Sequence, residues 1–295
     1  MPEPRDRRRV RVSTARHYSG DMPRLKPPAP SSSLDGEPLA DGARRRRLRW
    51  EITLVLGLSL GQSAVYSVVQ LADKLSRGPL SSATSTLNPS RNQRELFDLL
   101  YQLLDIMFSL VPVLLAFYLL ATFLPWRGEA GRKPWRGMGF DLARPVRDGG
   151  TGLALAVALG AGTLGLYAVG RALGITTAII PAALDAHWWT VPVLVLSGIR
   201  HGVLEETLVV GYLFRRLGQL GLSPWWIVLA SSLLRGSYHL YQGFGPFLGN
   251  VVMGLVFGWV YLRWRRVMPL VVAHALLDVG AFVGYDLFGK AIGLG

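Results

Sequence analysis

Glu205 and Glu206 stand side by side in an apolar run that extends from Trp188 to Leu220. On insertion scales a charged side chain at the centre of a membrane helix costs about 2.5–3.5 kcal/mol, while each Leu or Val returns about 0.3–0.6 kcal/mol. One buried carboxylate therefore cancels several leucines, and two adjacent ones need a reason. Intramembrane ionisable residues mark a site, a relay or a packed ion pair. A carboxylate in a low-dielectric surrounding has a raised proton affinity, which suits a general base acting on water near neutral pH.

Four further ionisable residues lie in the apolar stretches that follow. Arg235 and His239 are four apart on one, and His274 and Asp278 are four apart on another. On a continuous helix each such pair shares a face. A lone histidine on an apolar helix is more often a hydrogen-bonded packing residue than a ligand. Three polar pairs in consecutive C-terminal stretches are better explained by convergence on one site. An imidazole beside a carboxylate can orient water or stabilise developing charge.

The elements that must carry these residues are membrane helices. Half of the 295 residues are apolar and 17% are charged, against about 25% charged in soluble proteins. Several apolar runs reach the roughly 20 residues a spanning helix needs. The expected fold is all-α and polytopic, with about seven transmembrane helices and the active site inside the C-terminal bundle. The spans are expected at about 50–71, 97–126, 149–169, 188–220, 224–239, 247–262 and 268–287. The fourth is too long for one straight crossing and must be tilted, kinked or partly outside the membrane.

Three regions follow: a disordered basic cytoplasmic tail at 1–49, two peripheral transmembrane helices with a basic loop at 50–147, and a working core at 148–295. The chain has no cysteine, which excludes disulfides, thiol nucleophiles and cysteine-ligated metal centres. The net charge of +13 does not point to nucleic acid, because residues 1–49 alone hold 13 Lys/Arg against 6 Asp/Glu. The clusters Arg7–Arg9 and Arg44–Arg47 suit either a topology signal or anionic lipid. An N-terminus inside places 24 Lys/Arg on the cytoplasmic side against 6 outside, as the positive-inside bias requires. That makes the chain a multi-pass cell-membrane protein with its N-terminus in the cytoplasm.

The ordered set Glu205-Glu206-x-x-x-x-Gly211, then Ser231-Ser232-Leu-Leu-x-Gly236-x-x-His239, then His274-x-x-x-Asp278 resembles the CPBP (Abi) intramembrane protease family, whose eukaryotic relatives are the type II CAAX prenyl endopeptidases. The resemblance covers roughly residues 150–285. It implies a hydrolase that cuts a peptide bond of a membrane-associated or lipid-modified protein or peptide with water as nucleophile. Glu205 and His239 would activate that water, and His274 and Asp278 would hold it or stabilise the oxyanion. Two positions depart from the family pattern. The arginine usual four residues after the second glutamate is Val210, and the phenylalanine usual four residues before the motif histidine is Arg235. The exchange implies that Arg235 orients Glu206 from the neighbouring helix.

The family is commonly labelled a metalloprotease, and Glu205, His239 and His274 are acceptable ligands for a divalent metal such as zinc, with His201 a further one. No His-Glu-x-x-His is present, and a metal-free glutamate mechanism uses the same residues. Both accounts stand at this level. Two other functions use the same features: a catalytically inactive protein of the same fold serving as an immunity or scaffold factor, and an ion-coupled transporter. The first is favoured by the altered arginine positions. The second lacks the visible repeat symmetry that such transporters show.

Overall fold

A computed structural model describes residues 42–122 and 133–288. The chain divides into Met1–Ser31, outside the described residues, and Ser32–Gly295. The helices are α1 (Gly42–Gly57), α2 (Leu60–Arg77), α3 (Glu95–Ser109), α4 (Val111–Thr122), α5 (Pro134–Gly137), α6 (Pro145–Ala172), α7 (Thr190–Glu205), α8 (Leu213–Gln219), α9 (Pro224–Ser237), α10 (Phe244–Trp264) and α11 (Met268–Phe288). A π-helical segment, Glu206–Tyr212, joins α7 to α8, and a 3₁₀ turn, Leu240–Gln242, joins α9 to α10. Two short strands, β1 (Thr84–Thr86) and β2 (Ala178–Ile180), pair in parallel. They are a small departure from the all-helical expectation.

The count of seven spans is not confirmed. Among the described residues four helical stretches are long and apolar enough to cross a membrane: Glu95–Ala121, Pro145–Ala172, Phe244–Trp264 and Met268–Tyr285. A fifth arises if α1 and α2, bent by 55° at their junction, form one broken span. The expected fifth span is α9, whose 14 residues would cover only about 21 Å at 1.5 Å per residue. The expected fourth is interrupted by the π segment.

The site-bearing helices are drawn together by small residues. A Cβ on Gly202 of α7 would fall 2.8 Å from the Val271 carbonyl oxygen of α11, and one on Gly254 of α10 would fall 2.8 Å from Ser232 of α9. Close backbone approach of this kind is what small residues at helix interfaces allow. The π segment lies at the centre of the main apolar core, where Leu208, Val209 and Val210 pack with Phe257 and Leu270.

The N-terminal helices do more than flank this core. Arg7–Arg9 lies outside the described residues, whereas Arg44–Arg47 belongs to α1. Arg45 donates to the Leu220 carbonyl, 2.6 Å away, at the end of α8. Glu51 accepts from the fully buried Arg216 of α8 at 2.7 Å and from the Tyr212 hydroxyl at 3.0 Å. From α2, Ser67 accepts from the Tyr241 amide and Lys74 donates to the Tyr241 carbonyl at 2.7 Å. The 3₁₀ turn beside His239 is thus held from outside the C-terminal core.

Candidate active site

Glu205 ends α7 and Glu206 opens the π segment. An α-helix widened by i→i+5 bonding is uncommon and tends to occur at functional positions. Glu206 is fully buried and Glu205 nearly so.

Arg235, also fully buried, reaches both glutamates from α9. Its Nη2 donates to Glu206 Oε1 at 2.7 Å and Oε2 at 2.8 Å, and its Nη1 donates to Glu205 Oε2 at 3.3 Å. The Phe257 ring lies 5.5 Å from the guanidinium carbon. One delocalised cation therefore spans two adjacent carboxylates. Without it, two unpaired buried charges would cost several kcal/mol each.

His274 comes from α11 and sits against the same pair. Its Nδ1 is 2.6 Å from Glu206 Oε1. An ionised carboxylate only accepts, so Nδ1 is the donor. Arg235 Nη1 lies 3.5 Å from the same nitrogen, and with both atoms donors this is a contact rather than a bond. His274 Nε2 then faces Glu205 Oε2 at 3.9 Å and Asp278 Oδ2 at 3.8 Å.

Asp278 Oδ2 also meets His201 Nδ1 at 2.9 Å. The chain of polar contacts continues outward from His201 through Arg200 to Ser197, whose hydroxyl donates to Asn88 Oδ1 at 3.1 Å. His201 is therefore the partner of Asp278.

His239 is placed differently from its sequence expectation. The face shared with Arg235 assumed a helix running through His239, but α9 ends at Ser237 and a 3₁₀ turn follows. Tyr238, three residues after Arg235, takes the inward direction instead, and its hydroxyl donates to Glu205 Oε2 at 2.5 Å. Among the described residues His239 bonds through Nδ1 to Gln242 Nε2 at 3.3 Å and packs on the Tyr238 ring. Its Nε2 is buried without a hydrogen-bond partner. Sequence reasoning missed Tyr238, although its i,i+3 spacing from Arg235 was a usable signal.

The candidate metal ligands Glu205, His239 and His274 do not form a ligand set among the described residues. Among the described residues no three His, Cys, Asp or Glu side chains stand together so as to hold a metal ion. His239 makes its hydrogen bond to Gln242 rather than to the glutamates, and the two carboxylates are bridged by the Arg235 cation. The residues as arranged do not fit a zinc centre.

Residues 187–280 match the family model for type II CAAX prenyl endopeptidase, Rce1-like. The Rce1-like segment contains Glu205, Glu206, Arg235, Tyr238, His239, His274 and Asp278, and so agrees with the resemblance carried by the three motifs. At family level it supports a membrane endopeptidase of CAAX-protease type, a hydrolase. Together with the apolar helices it supports a membrane location. No curated protein and no solved structure matches the chain.

Proposed function

We propose that the chain is an intramembrane endopeptidase in which Glu205 takes a proton from water and the resulting hydroxide attacks a peptide carbonyl of a membrane-associated or lipid-modified substrate. One observation carries this reading. Of the two buried carboxylates, Glu206 has both oxygens committed to Arg235 and His274, whereas Glu205 Oε1 makes no hydrogen bond among the described residues. Glu205 is thus oriented through Oε2 and left free at Oε1, as a base must be to reach a water proton.

The other residues take roles from their positions. Glu206 anchors Arg235 and fixes the His274 ring through Nδ1, leaving Nε2 to donate to or accept from the water. The unpartnered His239 Nε2 is a candidate donor to the oxyanion, because a buried polar atom without a partner normally finds one in the bound state. Asp278 keeps His201 and His274 in line. As the tetrahedral intermediate collapses, the proton held by Glu205 passes to the leaving amine and the C–N bond breaks.

The test is cleavage of a membrane-anchored reporter by the full chain reconstituted in liposomes. Glu205→Gln preserves the acceptor for Tyr238 but removes the base, and turnover is expected to fall by about 10²–10⁴-fold. Turnover within a few-fold of the parent would overturn the assignment. A non-catalytic role in holding partners is favoured by one feature, the Arg235 contact that draws on Glu205 as well as Glu206. Absence of cleavage by the parent chain across prenylated, acylated and plain transmembrane reporters would support that reading.

A further inference from the structure

A second charged constellation lies away from the glutamates, where α6 begins and α10 gives way to α11. A cavity of ≈ 170 Å³ there is lined by Arg144, Arg147, Arg263 and Arg266, with Asp148, Thr151, Trp264 and Pro269. Only one of the four arginines is neutralised. Arg266 donates to Asp148 Oδ2 at 2.6 Å and to Asp141 Oδ1 at 2.8 Å. Arg147 lies 5.8 Å from the Trp264 ring. The side chains of Arg144 and Arg263 make no hydrogen bond or ion pair among the described residues, and both are exposed. The lining carries one carboxylate, Asp148, which Arg266 already engages, so Arg144, Arg147 and Arg263 leave a surplus of positive charge that a ligand supplying negative charge would ease.

Its surroundings say which kind. The helices that end at this level, α6, α10 and α11, are three of the candidate spans, so the cavity opens near the height of lipid head groups. Apolar residues next to its arginines are turned outward, Leu142 at 78% exposure and Val146 at 88%. Val146 also begins a stripe along α6 that continues through the exposed Leu153, Val157 and Leu164. The steps of seven, four and seven put these residues on one helix face. A cationic concavity leading into an apolar track matches a phosphate carrying acyl chains better than a free ion. Its volume is below the roughly 300–1,000 Å³ of pockets that enclose whole small molecules, but a head-group phosphate needs less.

We infer that this cavity binds the phosphate of an anionic phospholipid, held by Arg144, Arg147 and Arg263, with an acyl chain along the Val146–Leu164 face of α6. Basic pockets between membrane helices recognise lipid phosphates in this way. Trp264 is among the lining residues, and aromatic side chains are enriched at the membrane interface. The site is separate from the glutamates, and its occupancy is measurable without any cleavage assay.

The experiment is native mass spectrometry of the full chain in uncharged detergent, titrated separately with phosphatidylglycerol, phosphatidylcholine and inorganic phosphate. The parent chain is expected to retain phosphatidylglycerol in preference to phosphatidylcholine. Arg144→Gln with Arg263→Gln is expected to weaken phosphatidylglycerol binding by about 25-fold, taking about 5-fold for each cation near an anionic lipid. The matched Lys pair should keep most of the affinity, and Arg77→Gln, exposed and paired with Asp73, should leave it unchanged. Should the double variant fail to elute as folded protein, Arg263→Gln alone is expected to show about a 5-fold loss. Unaltered binding in the Gln variants, an equal loss in Arg77→Gln, or displacement of the lipid by an equal concentration of inorganic phosphate would each overturn the inference.

Discussion

Removing the buried cation is the sharpest perturbation of the candidate site. Arg235 and Glu206 are both 0% exposed, joined by contacts of 2.7 and 2.8 Å. Deleting one partner of a buried pair leaves the other charge uncompensated and costs about 3–5 kcal/mol. The structure sets the expectation at the lower end. After Arg235→Met, Glu206 still has the His274 Nδ1 donor at 2.6 Å, and that bond offsets part of the loss. After Glu206→Gln, Arg235 still has Glu205 Oε2 at 3.3 Å. Each single variant should therefore lose about 3 kcal/mol, and the double variant, with both charges gone, no more than either single. The coupling energy is then about 3 kcal/mol. Unfolding of the purified chain in mixed micelles of rising SDS fraction, followed by circular dichroism, measures all four proteins. Losses that add, or single losses below about 1 kcal/mol as in exposed pairs, would refute the claim that one cation compensates this carboxylate.

Three further outcomes are expected. Tyr238→Phe removes the 2.5 Å hydrogen bond to Glu205 Oε2; cleavage should fall and its pH profile should shift, and an unchanged profile would mean that the hydroxyl does not act through Glu205. Gly202→Ala places a methyl 2.8 Å from the Val271 carbonyl oxygen, so it should cost about 1–3 kcal/mol and reduce activity by displacing His274. Gly57→Ala, with nothing within 4 Å, should do neither, and equal effects of the two would discount the helix approach. Burial works to raise the Asp141 pKa, but hydrogen bonding and charge from Arg266 outweigh it and hold the carboxyl below its ordinary 3.8. A depressed carboxylate contributes stability above its unfolded pKa and loses it as pH falls through the folded value. Asp141→Asn should accordingly lower stability modestly at neutral pH and flatten the acid limb of a stability–pH curve below about pH 4, where the two proteins converge; an unaltered acid limb would count against the pair.

The amino-acid sequence by itself determined that the chain is a helical membrane protein and which residues do not belong in lipid. Charged side chains inside apolar runs are costly wherever the helices pack, so Glu205, Glu206, Arg235 and His274 stood out before any contact was known. The absent cation at Val210 and the added one at Arg235 were legible for the same reason. Tertiary structure decided the rest. Helix termini are weakly encoded, and with α9 ending at Ser237 it is Tyr238 that hydrogen-bonds Glu205. The π segment has no periodic signature, because it shows in the hydrogen bonds between neighbouring turns, and it shifts the register that would have made 188–220 one regular helix. Contacts distant in sequence were equally invisible: Lys74 and Ser67 hold the turn beside His239, and Arg216 lies against Glu51. Each of these joins groups more than 150 residues apart, and only the packing of helices brings such groups within hydrogen-bonding distance.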